Sequence, residues 1–215
     1  IPNPRTPMQA LKLKPSVVVL LGGTNDAMGT LKPETNGKLY TSGLAYGLSA
    51  QKKANPNLPT LELYTMQMGE ILRLLKESGF VKHRAVLSIP MLGENLDSEA
   101  NMMVNKFNAA IRSLATEHQA TFLDLNQGLW KVAMDSSLTQ GGNGKDWEGL
   151  DKGGLELVLA PLLVYGLGWS WNEVGDWLGY SVLTDGVHLN DRGGEVAAHL
   201  VAPYLEKFVE PSIKP

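Results

Sequence analysis

Apolar positions along the chain follow two rhythms. Ser16–Leu21 is a compact run (Ser-Val-Val-Val-Leu-Leu), β-branched and apolar on both faces, halted by Gly22-Gly23. Such a run predicts a fully buried parallel strand. Arg84–Met91, broken at Pro90, and Ala120–Leu125 read as two more strands. Between and after them the spacing lengthens to three and four. Leu61–Ser78 places Leu61, Tyr64, Met68, Ile71, Leu72 and Leu75 on one face, with Gly79 as a stop, and predicts an amphipathic helix. Ser98–His118 predicts a second helix, started at Ser98 and directing Met102, Phe107, Ile111 and Leu114 inward. Asp191–Val209 predicts a last helix, capped by Asn190 or Asp191 and kinked at Pro203. Residues 1–15 read as an incoming loop or short helix, and 27–59 as a long loop with one helical turn.

Strand, helix, strand, helix, strand, helix is the order of a parallel sheet with helices on its faces. One stretch falls outside this alternation, from Trp130 to Val182. Asp135–Gly154 is Gly-, Ser- and Asp-rich and reads as a flexible loop. Leu155–Leu178 is rich in Leu, Val and Trp; its run Leu157–Tyr165 is too short to span a bilayer and is interrupted by Pro161. Two readings stand: a buried helical hairpin, or an apolar cap over a lipid-binding cleft or docking surface.

With 215 residues, 43% apolar and 19% charged, the chain suffices for one globular domain with a real core. The formal net charge of −3 and the lack of any Lys/Arg run argue against a nucleic-acid partner. There is no Cys, which removes disulfides and thiolate metal sites but does not indicate a compartment. The first residues, Ile1-Pro2-Asn3-Pro4, carry neither Met nor a signal pattern, so the start is expected to be a processing site or the edge of a fragment.

Two segments carry candidate chemistry. Gly22-Gly23-Thr24-Asn25-Asp26 follows the first strand, where open parallel sheets bind ligands. The Asn25 amide is able to donate to a developing oxyanion, and the glycines permit a sharp turn. The same residues also suit a plain turn. The second segment is Thr184-Asp185-Gly186-Val187-His188-Leu189-Asn190, just before the last helix. A tight turn at Gly186 would bring the Asp185 carboxylate to Nδ1–H of His188 and leave Nε2 as a general base. A metal pair and an N-capping cluster are the alternatives; a metal would need further ligands, and no other His has motif spacing. His83, His118 and His199 read as surface or packing residues.

Together the two segments resemble the SGNH (GDSL-type) esterase and lipase family. Gly23-Thr24-Asn25-Asp26 is similar to its Gly-x-Asn-Asp block, and Asp185-Gly186-Val187-His188-Leu189 to its Asp-x-x-His-Leu block. The resemblance implies a flavodoxin-like three-layer α/β sandwich, here a single domain over 1–215 lacking its first βαβ part, with an insert at about 130–181. It implies hydrolysis of carboxylic esters, with Asp185, His188 and Asn25 catalytic, Gly23 and Thr24 binding substrate, and no metal or organic cofactor.

The family's nucleophile lies in a Gly-Asp-Ser block ahead of Gly-x-Asn-Asp. No such block precedes Gly23, none of Ser42, Ser49, Ser88 and Ser98 follows a buried strand with Gly-Asp before it, and Ser136-Ser137 lies in the expected flexible loop. Nor is there a Gly-x-Ser-x-Gly elbow. The expectation is a separate N-terminal polypeptide segment that supplies the serine and a central strand beside Val17–Leu21, since that apolar run would otherwise be an exposed edge. The alternative is a catalytically inactive structural or docking subunit. Read as a cap or docking surface rather than a buried hairpin, the Trp/Leu-rich insert would contact lipid or protein.

Overall fold

The computed structural model describes residues 11–31, 59–136, 144–147 and 159–208. The expected loop over 32–58, much of the Gly/Ser-rich part of the insert and both chain ends lie outside the described residues.

Three parallel strands, β1 (Val17–Leu20), β2 (His83–Leu87) and β3 (Thr121–Leu123), form one sheet in the order β1-β2-β3. The register aligns Leu20 with Val86 and Val86 with Phe122, so one row of side chains crosses the sheet on a single face. All three pack into the cluster built from α1 (Thr24–Thr30), α2 (Leu61–Glu77) and α3 (Glu99–Glu117). Leu87 and Leu123, paired one position on, point to the opposite face with Val19. There they meet α4 (Leu125–Asp135) and α6 (Asp191–Glu206) through Leu125, Leu129, Val196 and Leu200. The alternation of pleated side chains thus fills two cores, one on each face, and gives helix, sheet and helix as three layers.

The long helices form where the spacing placed them, for identifiable reasons. Thr60 accepts from the Leu63 N–H at 3.1 Å and starts α2, which buries Tyr64, Met68, Ile71, Leu72 and Leu75. Ser98 accepts from Asn101 N–H at 3.1 Å and starts α3. Asn190 caps α6, accepting from Gly193 N–H at 3.0 Å, and Pro203 lies inside that helix.

Four expectations need correction. Met102 is 53% exposed; Val104, one position round the helix from partly buried Met103, faces the core instead. Asp124 accepts from Gln127 N–H and caps α4, an element the sequence reading left out, so β3 ends at Leu123 rather than at Leu125. Part of the expected loop after Asp26 is α1, which turns straight off β1. Finally, the four residues of β1 are half-buried and Leu21 is 52% exposed, because among the described residues no strand pairs with the outer edge of β1. Both faces of β1 are covered by apolar side chains, while its outer edge pairs with no strand among the described residues.

The insert is not a buried hairpin over its described part. Residues 159–167 are helical, and α5 (Trp171–Leu178) follows, started by a capping box between Ser170 and Glu173. Leu162, Tyr165, Leu167 and Trp177 are all more than half exposed. The helices bury only one narrow side, with Ala160 and Val174 inward.

Candidate active site

In a parallel sheet the strands all end at the same side, and the loops that follow them converge there. The β1–α1 turn and the segment after β2 leave the sheet on that side, and the latter is bonded through Gly93 N–H to the Gly186 carbonyl of the loop 180–190, which leads into α6.

The loop 180–190 is fixed by its own polar groups. Thr184 N–H donates to the His188 carbonyl at 2.7 Å, and Leu183 and Leu189 form an isolated antiparallel bridge. Asn190 ties the two ends together, its amide donating to the carbonyls of Ser181 at 2.9 Å and Leu183 at 3.2 Å. Since Asn190 performs the helix capping, the acidic and imidazole groups between these anchors remain for other work.

Asp185 is 7% exposed. Its Oδ1 accepts from the backbone N–H of Val187 at 3.0 Å and of His188 at 2.8 Å. Its Oδ2 lies 2.8 Å from His188 Nδ1. The turn depends on Gly186, whose φ of 84° is left-handed and whose missing side chain leaves room for Tyr180: a Cβ there would stand 2.7 Å from Tyr180 Oη. Burial pushes the Asp185 carboxyl up, but the hydrogen bond and charge of His188, with the two backbone donors, outweigh it and hold it below its ordinary value. The hydrogen bond that His188 donates to Asp185 raises His188 above its ordinary value, against a smaller opposing effect of burial. With Nδ1 committed to Asp185, the nitrogen His188 presents elsewhere is Nε2. Its side chain is 66% exposed.

His188 borders a cleft of about 340 Å³. It is lined by Thr184, Asp185, His188 and Leu189 of the loop and by Ala160, Pro161 and Trp171 of the insert. Apart from the Asp185–His188 pair and the Thr184 hydroxyl, this lining is apolar. Among the described residues no serine borders the cleft, and no group of three or more His, Asp and Glu is placed to hold a metal ion. Ser88 is fully buried, donating to Asp124 at 3.2 Å and accepting from Asn126 N–H at 2.8 Å, and Ser98 is spent on its cap.

Gly23, Thr24 and Asn25 sit on the β1–α1 turn, outside the residues that border the cleft. Gly23 precedes α1 with φ 122°, and a Cβ there would meet the Tyr64 ring at 2.7 Å. Tyr64 Oη donates to the Gly22 carbonyl at 2.9 Å, holding the turn against α2. Asn25 is exposed and Asp26 buried. The turn and the 180–190 loop share a core: Val187 packs into the same cluster as Ala27 and Met28 of α1.

The sequence reading missed the cleft wall contributed by Ala160, Pro161 and Trp171. The apolar insert was the available signal, but nothing in its periodicity shows which of its residues face His188. It also missed Glu94, which anchors the loop from below.

A sequence model of the GDSL-like Lipase/Acylhydrolase family matches residues 3–196. No curated protein sequence matches the chain significantly. Among solved structures, LAE5, an alpha/beta hydrolase enzyme from the metagenome of Lake Arreo in Spain, is 12% identical with a TM-score of 0.57 over 96% of this chain and 66% of that one. The acetyl xylan esterase AlAXEase is 16% identical with a TM-score of 0.54, over 94% of this chain and 72% of its own. The acetylxylan esterase Axe2 from Geobacillus stearothermophilus is 14% identical with a TM-score of 0.53, over 99% of this chain and 70% of its own. At such identities the likeness establishes a shared α/β fold, and this chain spans about two thirds of the length of those structures. Solved variants of Axe2 described as catalytic mutants replace a serine, an aspartate and a histidine, the last two three positions apart in its own sequence.

Proposed function

The chain belongs to the GDSL-like lipase/acylhydrolase family, and from that premise we propose that it hydrolyses carboxylic esters through a Ser-His-Asp mechanism whose serine comes from a segment outside this sequence. The observation that carries the reading is the 2.8 Å contact between Asp185 Oδ2 and His188 Nδ1, beside an apolar cleft on the side where the strands end.

In this reading the serine hydroxyl attacks the ester carbonyl carbon and passes its proton to His188 Nε2. Asp185 fixes the imidazole tautomer and stabilises its charged form. Asn25 Nδ2 and backbone N–H groups of the Gly23-Thr24 turn receive the oxyanion. His188 then gives its proton to the leaving alcohol, and a water, deprotonated by the same nitrogen, releases the acid. The aspartate and histidine substituted in Axe2 have the same spacing as Asp185 and His188, which supports the assignment. No cofactor takes part.

The cleft walls of Pro161, Trp171 and Leu189 suit the apolar part of an acyl group, so the substrate class is a hydrophobic or short-chain acyl ester. The outer edge of β1, half-buried along Val17–Leu20 and unpaired among the described residues, suits one further parallel strand, and such a strand would end on the same side as β1. A partner segment of that kind would bring both strand and serine.

A second reading is a catalytically inactive docking subunit. It is favoured by the exposed apolar side chains of Leu162, Tyr165, Leu167 and Trp177. Fluorophosphonate labelling with peptide mapping, alongside turnover of p-nitrophenyl esters, separates the two. Labelling of a serine outside this sequence, lost in His188→Ala, supports the split active site. Labelling of a serine within this chain would refute the external nucleophile. No labelling and no turnover in folded material would leave the docking reading.

A further inference from the structure

We propose that Glu94 is a positioning residue for the Asp185–His188 pair, acting through the backbone of the loop that carries it. Glu94 is 3% exposed and lies just beyond β2. Its carboxylate accepts from a row of consecutive backbone donors. Ser181 N–H is 2.8 Å from both Oε1 and Oε2, Val182 N–H is 2.8 Å from Oε1, and Leu183 N–H is 3.2 Å from Oε1. Its neighbour Gly93 donates its N–H to the Gly186 carbonyl at 2.8 Å. The two residues therefore hold the loop on both sides of Asp185, from Ser181 to Leu183 and at Gly186.

Asn190 and Arg192 hold carbonyls of this loop, whereas the N–H groups of residues 181–183 are held by Glu94. Its path before Asp185 is non-helical, so the N–H groups of residues 181–183 have no regular ladder, and a buried N–H without a partner is costly. One carboxylate satisfies all three. Its charge also acts on Arg192, whose Nη1 donates to the Ser181 carbonyl at 2.8 Å while its guanidinium pairs with Asp176. Acceptor and donor thus grip the same peptide, Ser181–Val182, its N–H held by Glu94 and its carbonyl by Arg192 of α6. Space on the Glu94 side is tight: a Cβ on Gly144 would lie 2.6 Å from the Glu94 Cβ. The 2.8 Å contact between Asp185 and His188 needs Asp185 held to a fraction of an ångström, and Glu94 is the side chain that fixes the strand-like segment leading into it.

The inference rests on reading Asp185 and His188 as the working pair, and the test separates the two claims. The readout is the titration of His188, followed by NMR of its imidazole carbons and nitrogens in the full chain and assigned with His188→Gln. Asp185 is the charged group that acts on His188. Asp185→Asn therefore calibrates the experiment, lowering the His188 midpoint to or below its ordinary value. Glu94→Ala is expected to lower that midpoint by about half a pH unit or more as the pair loosens. Glu94→Gln keeps one acceptor oxygen but turns an NH2 toward Ser181 N–H, and is expected to give a smaller shift in the same direction. Should Glu94→Ala fail to fold, Glu94→Gln decides. A purely structural Glu94 would lower thermal stability and leave the His188 midpoint of the folded variant unmoved; that result overturns the proposal. If Asp185→Asn itself leaves the midpoint unchanged, the pair reading fails and this inference falls with it.

Discussion

The ring of Tyr64 occupies the place where a side chain on Gly23 would begin. A Cβ at Gly23 would stand 2.7 Å from Tyr64 Cε2, and the Tyr64 hydroxyl closes the contact by donating to the Gly22 carbonyl at 2.9 Å. Through this pair α2 sets the path of the turn that ends β1 and presents Asn25. Gly23→Ala combines a left-handed φ of 122° with that clash and is expected to cost about 2–4 kcal/mol, read as a lowered urea midpoint. Tyr64→Phe removes one hydrogen bond and keeps the packing, so a loss near 1 kcal/mol is expected. An unchanged midpoint in Gly23→Ala would contradict this account of the turn.

Gly186→Ala tests the turn between Asp185 and His188. The added methyl must displace Tyr180 Oη, which itself donates to the Asp146 carbonyl at 3.2 Å. Separation of Asp185 from His188 should follow, with the His188 titration midpoint falling toward its ordinary value. NMR titration checks this, and a midpoint equal to that of the parent protein would show the turn to be tolerant.

The pair also makes stability depend on pH in a defined window. His188 is raised in the folded state, so its contribution is complete below its ordinary value of about 6.5 and is lost as pH rises through the higher folded value. Asp185 is lowered, so its contribution is present above its ordinary value of about 3.9 and is lost as pH falls through the folded one. The stability difference between the parent and His188→Gln should be larger near pH 5.5 than at roughly pH 9. Urea midpoints of both proteins at the two pH values measure it. If His188 is the base, ester turnover rises with pH through a midpoint above the ordinary His value.

Trp171 and His188 line the same cleft. In material that turns over p-nitrophenyl esters, Trp171→Ala should reduce kcat/KM for butyrate relative to acetate by roughly 10-fold, since apolar contact with the longer chain is lost. Equal effects on both esters would remove Trp171 from acyl recognition.

Phe107 anchors the core on the α1–α2–α3 face. It is fully buried, its ring centroid 4.9 Å from that of Tyr64. Phe107→Ala is expected to cost about 3–5 kcal/mol in chemical denaturation.

By itself the sequence determined the class of fold and the contact between one pair of side chains, Asp185 and His188. Three short apolar runs, two long amphipathic repeats and a capped last helix suffice for a parallel sheet between helices, because a run apolar on both faces suits a covered strand and a spacing of three to four suits a helix with one buried face. Asp185 and His188 were legible as a pair because the bonds between them, Oδ1 to the backbone N–H groups and Oδ2 to the imidazole, span only three residues. What the tertiary structure decided involves residues distant in sequence. The half-buried state of β1 follows from which strand lies beside it, which no run of Val shows. The orientation of Pro161 and Trp171 toward His188 depends on how the insert packs. The grip of Glu94 on Ser181, Val182 and Leu183 spans nearly ninety positions. A lone Glu after a strand carries no periodic signal, and only folding brings those three N–H groups to its carboxylate.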